Sequence, residues 1–136
     1  MMSYLLQGHI AVVTGAGSGI GQGIAVGYAV EGARVIAVDI NEAGAVETVA
    51  IIDKAGGDAV SYKLDVTDAA ACRALADTVS RDIGQVSVLV NNAGIVRRAK
   101  ITSDTAVQDW DNVLSVNIHG VFNVTHAFLA TLKATK

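Results

Sequence analysis

Four short runs of apolar residues, each followed by a stretch with helical spacing, constrain what this chain folds into. The runs cover residues 9–13, 34–38, 59–64 and 86–90. None alternates strictly between apolar and polar residues, so they read as strands buried on both faces. Between the first two, Ile20, Ile24 and Tyr28 recur at four-residue intervals and predict a helix that Gly32 stops. Asn41 is placed to cap a second helix over Glu42–Lys54, ended by Gly56 and Gly57. A third helix is expected from Asp68 to Asp82, with Cys72, Leu75, Val79 and Ile83 on one face. After the fourth strand come a loop, a short helical turn over Asp104–Gln108 and a long helix from Trp110 to Lys133. Alternation of this kind predicts an α/β fold, a parallel sheet with helices on both faces. Right-handed crossovers then give a doubly wound strand order of 3-2-1-4.

Composition narrows the function classes. Of 136 residues, 51% are hydrophobic and 17% charged, with a mean hydropathy of +0.45. A chain of that length and balance builds one domain with a core and is not intrinsically disordered. The net charge is −3, and Arg97-Arg98 is the one pair of adjacent cations, which argues against a nucleic-acid surface. The one cysteine, Cys72, has no partner for an internal disulfide and reads as an inert, packed thiol. No uninterrupted run reaches the ~18 apolar residues of a membrane span. Met1–Leu6 lacks a basic region, and Gln7, Gly8 and His9 break its apolar character, so neither a signal peptide nor a membrane partner is expected. A cytoplasmic location follows as the expectation.

The stretch Val12–Ala25 holds five of the 14 glycines, between Gly15 and Gly23. It directly follows the first strand and opens the first helix, where a phosphate-binding turn belongs. Gly15 permits a tight turn off the strand, Gly19 lets a phosphate approach the backbone, and Gly21 lets the helix pack close to the sheet. The helix N-terminus adds unpaired N–H groups and the positive end of a dipole. No Gly-Lys-Ser or Gly-Lys-Thr is present, which excludes a P-loop NTPase. Asp39 ends the second strand, 18 residues beyond Gly21. A carboxylate there accepts hydrogen bonds from a ribose diol and repels a 2′-phosphate. With Ser18 rather than Arg before Gly19, NAD is expected over NADP.

Thr14-Gly15-Ala16-Gly17-Ser18-Gly19-Ile20-Gly21 resembles the TGxxxGxG fingerprint of the short-chain dehydrogenase/reductase family. Three further stretches match in order. Asp65-Val66-Thr67 falls where the family's acid and its neighbour contact the adenine. Asn91-Asn92-Ala93-Gly94 matches the family's NNAG at the end of the fourth strand. Asn117 falls where the family has its helix asparagine. The resemblance covers essentially the whole chain. It implies a Rossmann fold, hydride transfer between NAD(H) and an alcohol or ketone, and a cofactor held by Thr14, Gly15, Gly17, Ser18, Gly19, Ile20, Gly21, Asp39, Asp65, Val66, Asn92, Ala93 and Gly94. It implies for Asn117 a catalytic role, its backbone carbonyl holding a water that links the catalytic lysine to solvent. Two positions keep plainer readings open. Asp65 also suits a turn before the third helix, and Asn117 also suits a helix kink or a core hydrogen bond. His119 and His126 have no Cys or acid at ligand spacing, so no metal site is expected.

The family's chemistry also needs a serine, and a tyrosine followed four positions later by lysine. The tyrosines here are Tyr4, Tyr28 and Tyr62, and the residues four positions on are Gly8, Gly32 and Val66. Residues 1–136 therefore read as the cofactor-binding half, ending before the expected fifth strand. Two other functions stay open: a non-catalytic dinucleotide-binding module and, more remotely, a SAM-binding methyltransferase fragment, against which the NNAG stretch and Asn117 argue. Along the last helix Val113, Leu114, Ile118, Val121, Phe122, Val124, Phe128, Leu129 and Leu132 span more than one face. One stripe suffices to pack on a sheet, so a homo-oligomer through this helix is expected.

Overall fold

The computed structural model describes residues 3–136; Met1 and Met2 of the expected leaderless start lie outside them. Strand β1 (Ile10–Thr14) leads into α1 (Gly19–Val30), β2 (Arg34–Asp39), α2 (Glu42–Lys54) and β3 (Asp58–Lys63). Helix α3 (Ala69–Asp82), β4 (Val88–Val90), α4 (Ala106–Leu114) and α5 (Gly120–Ala134) follow. The sheet order is β3-β2-β1-β4, and every pairing is parallel, with Val12 beside Ile36 and Leu89 and Ile36 beside Val60. The expected doubly wound order is the one found.

Successive residues along the strands feed two separate cores. Val12, Ile36 and Val38 join Leu75 and Val79 of α3 and Val124 and Phe128 of α5 on one face. Ala11, Val13, Val35 and Ala37 join Ala25 of α1 and Ile52 of α2 on the other. Both sides of each inner strand are therefore dry, which is why the runs are continuously apolar. The α1–α2 face is built largely from alanine, so those helices lie close against the sheet.

Three expectations need correction. Ile20 does not face the sheet with Ile24 and Tyr28: it is 78% exposed, and Gly21 and Ala25 are the fully covered positions of α1. Small residues let the helix approach, and a branched side chain at that contact would hold it off. The short helical turn and the long helix are one continuous helix, Ala106–Ala134, broken in register by a π-helical turn at Ser115–His119. The third correction follows from this fusion. The joined helix is long and apolar enough to cross a membrane by length and composition, where no such segment was expected. In this fold it packs through Gly120, Val124 and Phe128 against the sheet and α3.

Helix ends follow the sequence signals. The Asn41 side chain accepts from Gly44 N at 3.2 Å, and Asp68 from Ala71 N at 3.0 Å. Cys72 is fully buried, its Sγ donating to the Val66 carbonyl at 3.7 Å. Burial pushes its thiol pKa up, and Asp68 and Asp65 add to the rise while Arg73 opposes it. The native fold thus favours the protonated thiol. Its contribution to stability is full below the ordinary thiol pKa and is lost as pH rises through the raised one. An aromatic disulfide reagent at neutral pH is expected to modify Cys72 rapidly only after unfolding; rapid modification of the folded chain would contradict the placement. Phe128→Ala, at the centre of the α3–α5 core, is expected to lower unfolding free energy by about 3–5 kcal/mol in urea titration.

Candidate functional site

The carboxyl ends of β1, β2, β3 and β4 surround a cavity of about 460 Å³. It is lined by Thr14, Gly15, Ser18, Gly19, Ile20, Asp39, Asp65, Val66, Asn92, Ala93 and Gly94 among others. Eleven of the sequence-predicted site residues thus converge on one recess, at the reversal of strand order where open α/β sheets bind ligands. Gly17, Gly21 and Asn117 do not line it; they hold up its walls.

The glycine turn is shaped by two contacts and one opening. Gly15 has φ +65°, and a Cβ there would lie 2.8 Å from Asn92 Nδ2 and 2.9 Å from Ala93 Cα. At Gly21 a Cβ would collide with the Gly15 carbonyl and Asn92 Nδ2. Gly19, by contrast, has φ +55° and open space where its side chain would be. That opening sits at the N-terminus of α1, and the Ser18 side chain makes no capping hydrogen bond there. The first-turn amides are left without a side-chain acceptor, the arrangement an anion completes.

Asp39 serves two purposes. Its Oδ2 accepts from Gly17 N at 2.8 Å and its Oδ1 from Asn41 N at 2.9 Å. The carboxylate therefore fixes the glycine turn from the side. With about four lone-pair positions on its two oxygens, it retains acceptor capacity toward the cavity. Asp65 takes the turn reading directly: its Oδ1 accepts from Thr67 N at 2.9 Å and from Thr67 Oγ1 at 2.7 Å. Val66 is buried beside it, and its carbonyl accepts from Asn123 Nδ2 at 3.0 Å.

Thr14 ties the two central strand ends together. Its Oγ1 accepts from Asn92 N at 3.1 Å and Ala93 N at 3.0 Å, and Asn92 Nδ2 donates to the Gly15 carbonyl at 3.2 Å. Asn117 clamps the next residues of the same loop. Its Oδ1 accepts from Ile95 N at 2.8 Å and its Nδ2 donates to Ile95 O at 2.9 Å. An amide side chain thus imitates a strand neighbour, and the π-helical turn that holds Asn117 aims it at the loop. Of the plainer readings of this residue, the hydrogen bond is present.

Sequence reasoning missed several contributors, Thr48 and Ile40 among them. Thr48, fully buried on α2, has its Oγ1 2.6 Å from the Ala16 carbonyl and accepts from Gln22 Nε2 at 3.0 Å, supporting the glycine turn from below. Nothing in a single sequence distinguishes it from a surface threonine. Ile40 lines the cavity while 60% exposed. Its signal was present: an apolar residue where a polar turn residue is usual. Among the described residues no cluster of His, Cys, Asp or Glu is arranged to hold a metal ion.

A doubly wound parallel sheet with a glycine turn at its switch point defines a Rossmann-type protein, and comparison with known proteins narrows the class. The short chain dehydrogenase family model matches residues 9–136, and the chain belongs to that family. It is 42% identical over 127 residues to D-threitol dehydrogenase of Mycolicibacterium smegmatis, covering 91% of this chain and 47% of that protein. Over 120 residues it is 37% identical to 2-dehydro-3-deoxy-D-gluconate 5-dehydrogenase of Dickeya dadantii, covering 88% and 46%. The crystal structure of a hydroxysteroid dehydrogenase from Escherichia coli superposes with a TM-score of 0.88 at 32% identity, covering 95% of this chain and 54% of that one. The chain spans about half the length of these relatives. The family binds a nicotinamide dinucleotide, NAD or NADP.

Thr14→Val is expected to leave the Ala93 amide without its acceptor and the Asn92 amide with the Val90 carbonyl alone, costing about 1–3 kcal/mol. Amide hydrogen exchange should accelerate across residues 91–95, and Thr14→Ser should restore protection. Unchanged exchange in Thr14→Val would contradict the role assigned to this hydroxyl.

Proposed function

We propose that residues 1–136 are the cofactor-binding unit of an NAD(H)-dependent oxidoreductase that interconverts an alcohol and a ketone. The observation that carries this reading is the pairing of the open Gly19 backbone with the Asp39 carboxylate on one cavity. The first-turn amides of α1 suit a pyrophosphate, and the bare Gly19 lets it reach them. Asp39, already anchored by two amides, suits a ribose diol and disfavours a 2′-phosphate, which supports NAD over NADP. Asp65 and Val66 suit the adenine edge. Asn92, Ala93 and Gly94 suit the second ribose. When bound, the nicotinamide supplies the hydride acceptor or donor.

Asn117 acts first as a positioning residue for that loop. Its side chain is engaged with Ile95, which favours the backbone carbonyl for the proton-relay role the family resemblance implies. No tyrosine in these residues is followed four positions later by lysine. The 136-residue chain alone is therefore expected to bind cofactor without turning over an alcohol. A small-molecule substrate, with no nucleic-acid or membrane partner, fits this reading. So does a cytoplasmic setting, in which the buried Cys72 stays a free thiol. Exposed Ile118, Val121, Phe122 and Leu129 on the last helix favour a homo-oligomer through that face.

Calorimetry tests the cofactor assignment. NAD is expected to bind at least about tenfold more tightly than NADP, from the like-charge penalty at Asp39. Asp39→Asn, which removes the charge and keeps an acceptor, should narrow that preference. Equal or tighter binding of NADP by the wild-type chain would overturn the assignment.

A further inference from the structure

The loop that leaves the cofactor cavity carries a feature that cofactor binding does not use. Ile95 lines that cavity. Arg97, Arg98 and Lys100 follow within five residues and are all exposed. They are three of the chain's ten cations, in a molecule of net charge −3. None of the three takes part in an ion pair among the described residues. Arg97 reaches only its neighbour's carbonyl, Val96 O, at 3.3 Å.

Beside this loop lies a second cavity of about 570 Å³, lined by the cations Arg97 and Lys100 and by the apolar Ile101, Val107, Trp110 and Val113. Its apolar wall is open: Trp110 is 67% exposed. All three cations also line an adjoining recess of about 450 Å³. Asp109 is the one carboxylate lining either cavity, and its Oδ2 is occupied by the Thr105 hydroxyl at 2.8 Å. Among the lining residues three cations stand against one carboxylate, a net positive charge beside an apolar wall.

Two different demands meet here. Guanidinium groups pair with carboxylate or phosphate through parallel N–H donors. An indole beside branched aliphatic chains gains by covering apolar area. A small inorganic anion meets only the first demand, and a neutral apolar molecule only the second. We infer that Arg97, Arg98 and Lys100, with the Trp110 cleft, bind an amphipathic small molecule: an apolar body ending in a carboxylate or phosphate. The inference deepens the oxidoreductase reading and rests on it only in naming this molecule as substrate. The loop that Asn117 clamps at Ile95 runs from the cofactor cavity into this cleft.

Trp110 is the chain's one tryptophan, so its fluorescence reports on this cleft without a label. Titration of the 136-residue chain with decanoate is expected to give a saturable change in Trp110 emission that weakens as salt is added. Decanol and inorganic phosphate should each bind at least about tenfold more weakly, as should decanoate to the variant R97Q/R98Q/K100Q, the scale of one lost charge-assisted contact. NAD binding, measured by calorimetry on the same variant, should be unchanged. Equal affinity for decanoate and decanol, or no effect of the triple substitution, overturns the inference. So does an emission change that tracks protein concentration instead of ligand, since that marks contact between two copies. A wild-type chain that binds decanoate but not NAD leaves this site standing and removes the cofactor reading.

Discussion

The structure depends on how closely the first turn of α1 can approach the end of β1. Gly15 and Gly21 face each other across that contact, and Asn92 reaches in from the loop after β4 to hydrogen-bond the Gly15 carbonyl. A single added methyl at Gly21 would strike both partners. Because the helix start is held there, its first-turn amides stand at the mouth of the sheet, and the open Gly19 backbone becomes the floor of a cavity. Thr14 and Asp39 complete the frame, one joining β1 to the loop after β4 and the other joining β2 to the glycine turn. Each binds backbone amides of a neighbouring segment, so the site is built from strand ends and turns held by side chains.

The two faces of the sheet contribute differently. The alanine-rich α1–α2 face draws those helices in and sets the glycine turn, with Thr48 joining α2 to the Ala16 carbonyl. The α3–α5 face has the larger side chains and anchors the long helix through Val124 and Phe128. That anchoring fixes the π-helical turn, and the turn delivers Asn117 to Ile95. Gly120 just beyond it lies so close to Val66 that a Cβ would meet Val66 Cγ2 at 2.6 Å. The Val66 wall of the cavity and the loop after β4 are therefore braced by one helix.

The strand order and most of the cavity lining were legible in the sequence because both rest on local signals. Continuous apolar runs mark strands buried on two faces, and glycines between a strand and a helix mark a turn with backbone exposed. What was not legible depends on long-range geometry. Ile20 fits the helical stripe by spacing, yet the contact with the sheet is made by Gly21 and Ala25, since depth of approach favours small residues. The fused helix reads as two in the sequence because polar residues around Gln108 and Asp109 interrupt the apolar pattern, and the π-helical turn further on leaves no compositional mark. Asn117 stood out as a poor interior helix residue, but its partner Ile95, 22 positions away, becomes visible only once the chain is folded.

We propose that the glycine turn and Asp39 together hold one nucleotide. Amide chemical-shift mapping tests it most directly, with NAD titrated into isotopically labelled protein. The largest perturbations are expected on Gly17, Ser18, Gly19, Ile20 and Gly21, with Asp39 and Ile40 next. Perturbations centred on another surface, with the residues from Gly17 to Gly21 unmoved at saturation, would contradict it.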